Sequence, residues 1–275
     1  GQMWEEVARI VVEKGGELHM EKEAVKIICN GETVTSVEVL DRATGQKRQF
    51  EVDYLFSSMP VRDLIAAINA PEVPPEVQMV AQGLQYRDFI TVGLLLRNLR
   101  ICNTTSRKTV NNLVPDNWIY IQERDVKLGR LQIFNNWSPY MVNDPDTVWI
   151  GLEYFCTEGD ELWNKPDNDF VRFAIDELVK IDIIDKESVM DSCVLRVPKA
   201  YPAYFGSYDN FDIISKHTDK ISNMFLIGRN GMHRYNNADH SMLTAMVAVE
   251  NIINNSAAKD NIWAVNAEGD YHEEK

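Results

Sequence analysis

Apolar residues recur every third or fourth position over residues 3–13, where Met3, Trp4, Val7, Ala8, Ile10, Val11 and Val12 make one broad stripe ahead of Gly15 and Gly16. That spacing predicts a helix. From residue 17 the period falls to two, and residues 24–29, 34–40 and 47–52, with a turn through 41–45, predict a small antiparallel meander. Residues 53–60 then give a more apolar strand ending on Ser57, Ser58 and Pro60, ahead of a helix over 61–68. Such a strand end reads equally as a ligand-facing edge and as a buried strand that stops at a turn.

Pro71, Pro74 and Pro75 break the pattern and mark the crossing toward a second domain. Beyond them, residues 89–96, 118–122, 131–137 and 148–156 predict strands of a mixed or antiparallel sheet four to six strands wide. A helix is expected over 168–181, a strand over 189–197, a short helix over 210–221, a strand over 224–227 and a long helix from about 242 to 254. The fold class that follows is mixed, α/β with α+β. Tyr201, Tyr204 and Tyr208 crowd a stretch without periodicity, which either covers a core edge or walls a ligand cleft.

Composition narrows the function classes. At 45% apolar and 25% charged residues the chain has the make-up of a globular protein, and its net charge of −14 repels phosphate backbones and anionic lipids. Nucleic acid and membrane partners are therefore disfavoured. No apolar run approaches the roughly 20 residues of a membrane span and no signal peptide is present, so a cytoplasmic location is the expectation. Cys29, Cys102, Cys156 and Cys193 are widely spaced and read as small buried thiols rather than metal ligands, and no metal site is expected. Signatures of hydrolases, phosphate loops, zincins and EF-hands are missing as well.

The distinctive stretch is 224–241, where a short apolar strand meets Gly228, Arg229, Asn230 and Gly231, then a polar loop, then the last long helix. With Asn237 or Asp239 as helix cap, the first-turn N–H groups and the positive helix end offer donors to an anionic or carbonyl group of a cofactor. Arg229 reads either as a clamp on such a group or as a partner for one of the many acidic residues. His233 and His240, seven apart, read as polar loop contacts.

This loop resembles the carboxy-terminal flavin motif of the FAD-dependent amine oxidase and protoporphyrinogen oxidase superfamily, and more specifically of its UDP-galactopyranose mutase branch. The matching positions are Gly228, Arg229, Tyr235 and the run Asn237, Ala238, Asp239, while Asn236 and Asn237 replace a usual tyrosine–aspartate pair. Residues 1–8 with Gly15, Gly16 and 24–27, and residues 53–60, resemble two further segments of that family in the same order. The resemblance implies an incomplete FAD-binding Rossmann-like domain over 1–60 and 221–255, a substrate domain over 61–220 and an acidic tail over 256–275. It also implies FAD as cofactor, contacted by Gly228, Arg229, Asn237, Asp239, His240, Ser241 and Met242, with a small organic or sugar substrate in a cleft lined by Tyr201, Tyr204, Tyr208, Tyr235 and Arg196. The family's glycine-rich Gly-x-Gly-x-x-Gly strand has no counterpart in the sequence. The expectation is therefore the carboxy-terminal part of a flavin-dependent oxidoreductase, inactive and weak or empty in FAD when isolated, whose partner is the amino-terminal half of the same protein. A UDP-sugar mutase using reduced flavin, with Arg87, Arg124 and Arg196 as diphosphate candidates, and a non-enzymatic binding scaffold are the alternatives.

Overall fold

Alternation of apolar and polar side chains builds the first sheet. In the computed structural model, which describes residues 1–70 and 73–265, helix α1 (Gln2–Glu13) precedes strands β1 (Lys22–Asn30), β2 (Thr33–Asp41) and β3 (Lys47–Glu51). The three strands pair as the expected antiparallel meander. Gly31 turns the first hairpin at φ 59°, a left-handed angle that costs glycine no Cβ clash. At the second, Asp41 Oδ1 accepts hydrogen bonds from the N–H groups of Ala43 and Thr44 at 2.9 and 3.1 Å, which fixes the bend from within.

The chain continues through β4 (Leu55–Ser57), α2 (Val61–Ala67), β5 (Ile68–Ala70) and α3 (Pro75–Gly83). Val61, Leu64 and Ile65 bury one side of α2. Strand β5, unexpected from the sequence, adds in parallel to β1. Pro75 stands at the first turn of α3, where a missing N–H breaks no hydrogen bond, so the proline run starts a helix as well as breaking the chain.

A second sheet holds β6 (Tyr86–Leu96), β7 (Trp118–Tyr120), β8 (Arg130–Ile133), β9 (Val148–Cys156) and β10 (Val189–Pro202), with the short turn α4 (Phe134–Trp137) after β8 and α5 (Asp167–Lys180) after β9. The strand order is β10-β6-β9-β8-β7. Ile90, Val92, Leu94 and Leu96 of β6 and Ile150, Leu152 and Tyr154 of β9 fill one face and are fully buried together with Phe170, Ala174 and Leu178 of α5. The strand expected over 131–137 stops at Ile133. Asn135 turns the chain there, its amide donating to the Thr147 carbonyl at 2.8 Å and its side-chain oxygen accepting from Trp149 N–H at 3.0 Å. Strand β10 runs five residues past the expected end at 197 and takes in Tyr201.

The chain closes with α6 (Phe211–Asp219), β11 (Met224–Leu226), the single turn α7 (Gly228–Gly231), α8 (Ala238–Ile253) and α9 (Asp260–Trp263). β11 lies parallel to β4, with Met224, Phe225 and Leu226 opposite Leu55, Phe56 and Ser57. Asn223 joins this pair to the meander: its Oδ1 accepts from Val34 N–H, and its Nδ2 donates to the carbonyls of Val34 and Asp53, all at 2.8 Å. Asn223→Ala leaves three backbone groups unmet in a largely buried place. The expected loss is about 2–4 kcal/mol in urea unfolding, and a change under 1 kcal/mol would show that the clamp is dispensable. Trp263, from the tail, docks its Nε1 on the Asp219 carboxylate at 3.0 Å; residues 266–275 of that tail lie outside the described residues.

The result is a mixed α/β fold with several sheets and flanking helices, divided by packing into residues 1–85 with 202–275 and residues 86–201. The edges expected from function fell at 60 and 220; by packing, α2, α3 and residues 202–220 go with the first unit.

Candidate functional site

In the first unit the distinctive loop sits at the carboxyl ends of the parallel pair. Gly228 takes φ 69°, its N–H donates to Thr244 Oγ1 at 3.0 Å, and a Cβ there would lie 3.7 Å from Ser241, so the strand end and α8 approach closely through a residue without a side chain. At Gly231 a Cβ would stand 2.4 Å from the Ser57 carbonyl oxygen, which only glycine tolerates. The loop is thereby pressed against the end of β4.

Two features of this corner suit a polar cofactor group. The Ser57 hydroxyl is buried with no hydrogen-bond partner in the structure, and α8 begins at exposed Asn237, Ala238 and Asp239 with no side-chain cap on its first-turn N–H groups. An orphaned buried hydroxyl costs stability unless a further group meets it, and an uncapped helix start favours negative charge. Asp239 is exposed, with His240 Nδ1 3.7 Å from its carboxylate; Ser241 is half-buried against Gly228, and Met242 faces outward. The backbone span 239–242 therefore opens α8, as the flavin resemblance implies for a carbonyl support.

Arg229 points back into its own loop: its Nε donates to the Asn236 carbonyl at 2.9 Å and its guanidinium lies 4.8 Å above the Tyr235 ring. Tyr204 and Tyr208 come together, ring centroids 4.8 Å apart, and the Tyr204 hydroxyl accepts the N–H of Tyr235. Burial pushes the Tyr204 phenol up, against the opposing effect of that N–H. His233 departs most from expectation. It is fully buried, at φ 48°, with Nε2 3.2 Å from the Ala203 carbonyl and its ring stacked near Phe211 and Tyr208, rather than a polar contact on an open loop.

The second unit carries a constellation that the sequence reading missed. Because strand side chains alternate, the face of the sheet opposite α5 shows Trp118 and Tyr120 of β7, Arg130 and Gln132 of β8, and Glu153 and Phe155 of β9. Trp118 and Tyr120 are stacked at an interplanar angle of 10° and stay largely exposed, with Trp137 edge-on to Trp118. Beneath them Arg130 is buried, its guanidinium 4.9 Å from the Trp118 ring and 4.7 Å from the Phe155 ring. Its Nη2 bonds Glu153 at 2.7 Å and donates to the Tyr201 hydroxyl at 3.0 Å, while Gln132 donates to the other Glu153 oxygen. Burial works against the Arg130 charge, but the Tyr201 hydroxyl and the Glu153 carboxylate outweigh it and hold the guanidinium above its ordinary pKa. The signal available in sequence was the alternation Trp118, Ile119, Tyr120 and one arginine opening an apolar strand.

Tyr201 thus belongs to this second constellation, whereas Tyr204, Tyr208 and Tyr235 belong to the first unit. Arg196 is held within its own unit by the carbonyls of Trp163 and Lys165 and by Asp167 at 2.5 Å. Of the cysteines, Cys29 and Cys156 are buried, their thiols pushed up by burial, Cys156 to about 11, and Cys102 and Cys193 are exposed. Among the described residues no cluster of metal-ligating side chains occurs and no helix is long and apolar enough to cross a membrane.

No family model matches the chain, and no curated protein matches it in sequence. Among solved structures its fold is similar to that of reduced UDP-galactopyranose mutase, with a TM-score of 0.72 at 17% identity over 92% of this chain and 51% of that one. It is also similar to a candidate protoporphyrinogen oxidase from Exiguobacterium sp. 255-15, at TM-score 0.54, 13% identity and 86% and 48% coverage. An oxidoreductase from Methanosarcina mazei follows at TM-score 0.51, 11% identity and 82% and 47% coverage. The chain spans about half the length of each. At these identities the likeness is one of fold, a remote structural link to the superfamily of the amine oxidases and UDP-galactopyranose mutase.

Proposed function

We propose that this chain carries the substrate-recognition part, and one side of the cofactor part, of a flavin-dependent mutase acting on a nucleotide sugar. The observation that carries the reading is the aromatic platform of the second unit. Two stacked, exposed rings over a buried arginine offer a flat surface to a planar base, while Gln132 and Glu153 hold that arginine in one place. Base stacking on such rings contributes about 1–3 kcal/mol per base. The stronger fold likeness to the mutase than to the two oxidoreductases supports the same reading.

In the first unit the residues present fit one edge of FAD. The α8 first turn, the Gly228 backbone and the Ser57 hydroxyl would hold it, and Asn237, Asp239, His240, Ser241 and Met242 would line the approach. Arg229, folded onto Tyr235 and Asn236, would stiffen the loop as well as bias its field toward negative charge. When bound and reduced, the cofactor supplies a nucleophilic ring for chemistry without net redox change. The oxidoreductase reading draws on the same loop and on fold likeness alone.

Titration of the full chain with uridine diphosphate, read by tryptophan fluorescence, tests this. Binding is expected, and Trp118→Ala should weaken it roughly tenfold or more. A chain that shows no uridine diphosphate binding, or binding indifferent to Trp118, would remove the support for a nucleotide sugar.

A further inference from the structure

The geometry points to the outward face of α8 as a docking surface for a partner polypeptide that supplies the complementary part of the mutase-type fold; this inference rests on the reading just given. One side of α8 buries Thr244, Ala248 and Asn251. The other leaves Met242, Leu243, Met246, Val249 and Ile253 exposed, Met246 by 58% and Ile253 by 71%. Spaced four, three and four residues apart, Met242, Met246, Val249 and Ile253 form a stripe along the helix with no charged residue between Asp239 and Glu250. A contiguous apolar stripe of this kind is unlike the scattered single hydrophobics of an ordinary surface.

Three observations say what covers it. First, β4 and β11 form a parallel ladder only three residue pairs long, with no third strand among the described residues. Parallel strands occur almost only in sheets covered on both faces, and a two-stranded sheet is marginal on its own. The occupant must therefore bring a strand as well as an apolar surface. Second, the charged residues bounding the stripe, Asp239 and Glu250, are both acidic, and the chain as a whole carries −14. A second copy would set acid against acid, whereas a partner with basic residues beside its own apolar face is complementary. Third, the fold match takes in 92% of this chain but 51% of the mutase, so that fold holds about as much polypeptide again. Helix α1, which buries none of its residues, offers Met3, Trp4, Val7 and Ile10 as further apolar surface in the same unit.

The test uses the full chain with Cys102→Ser and Cys193→Ser, which remove the exposed thiols, and Met246→Cys as reporter, with Tyr140→Cys of the other unit as control. The probe is the part of the UDP-galactopyranose mutase chain outside the matched region, produced as a separate polypeptide. Maleimide labelling at position 246 is expected to slow roughly tenfold or more when the probe is added, with position 140 unaffected and a one-to-one complex seen by light scattering. The double variant Met246→Glu, Val249→Lys should keep its circular dichroism and form no complex. Equal labelling with and without probe overturns the inference, and so does protection at 246 in the chain alone through self-association. Uridine diphosphate binding reads the other unit, so its retention alongside failed docking would sink this inference and leave the nucleotide-sugar reading standing; docking without nucleotide binding would do the reverse.

Discussion

Arg130→Ala should cost about 3–5 kcal/mol in the unfolding of the unit formed by residues 86–201, the largest loss expected of any single change on its polar face. The side chains of Arg130 and Glu153 are only 5% and 6% exposed and meet at 2.7 Å. Both have left water, and neither regains it when the other is removed. In the variant, Glu153 keeps Gln132 as donor but loses its cation, so a carboxylate stays buried with its charge uncompensated. The ring contacts of the guanidinium with Trp118 and Phe155 go as well, which loosens the platform from beneath. Arg130→Met with Glu153→Gln takes out both charges at similar volume, and most of the stability should return. Denaturant unfolding of the three proteins decides the matter. If the double variant is no more stable than Arg130→Ala, the loss comes from packing on the rings and not from the stranded carboxylate. Uridine diphosphate binding separates structure from recognition, because the double variant should regain stability without regaining affinity if the guanidinium orders Trp118 and Tyr120 for a base.

This pair also marks where sequence reading runs out. The alternation in residues 86–96 was enough to place β6, because Ile90, Val92, Leu94 and Leu96 share one face and must be buried. The meander was equally legible, since Gly31 and the turn at 41–45 bracket the strands. Arg130 was not, for a period-two pattern says that a polar residue lies on the other face and not that this face is covered. What covers it are Trp118 from twelve residues earlier and Tyr201 from seventy-one residues later, brought together by strand order. The loop at 228–241 was legible as strand, glycine and helix start, because Gly228 and Gly231 answer steric demands visible in their type. Its inward-turned side chains were hidden: Asn236 and His233 look like solvent-facing polar residues until Ala203, Tyr208 and Phe211 close over the histidine.

The buried His233 gives the fold a pH dependence of calculable sign. Burial lowers its pKa from 6.5 to about 4, the hydrogen bond to the Ala203 carbonyl opposes that only in part, and the charge of Arg62 adds to the lowering. In the unfolded chain the ring takes a proton near pH 6.5, whereas in the folded one it stays neutral until about pH 4. Between those values the unfolded state binds more protons, so stability is complete above pH 6.5 and falls as the pH drops toward 4. The gap corresponds to about 3 kcal/mol. His233→Asn isolates this contribution, because asparagine accepts the left-handed φ of 48° better than most residues yet does not titrate. The variant should be less stable than the parent at pH 7, where it has lost the stacked ring. On acidification the two urea midpoints should converge, the parent losing the extra 3 kcal/mol or so that the variant no longer has to lose. Parallel curves from pH 7 to pH 4 would mean that the histidine gains a proton without unfolding the loop, and that the closure of Tyr208 and Phe211 over it opens more easily than the packing implies.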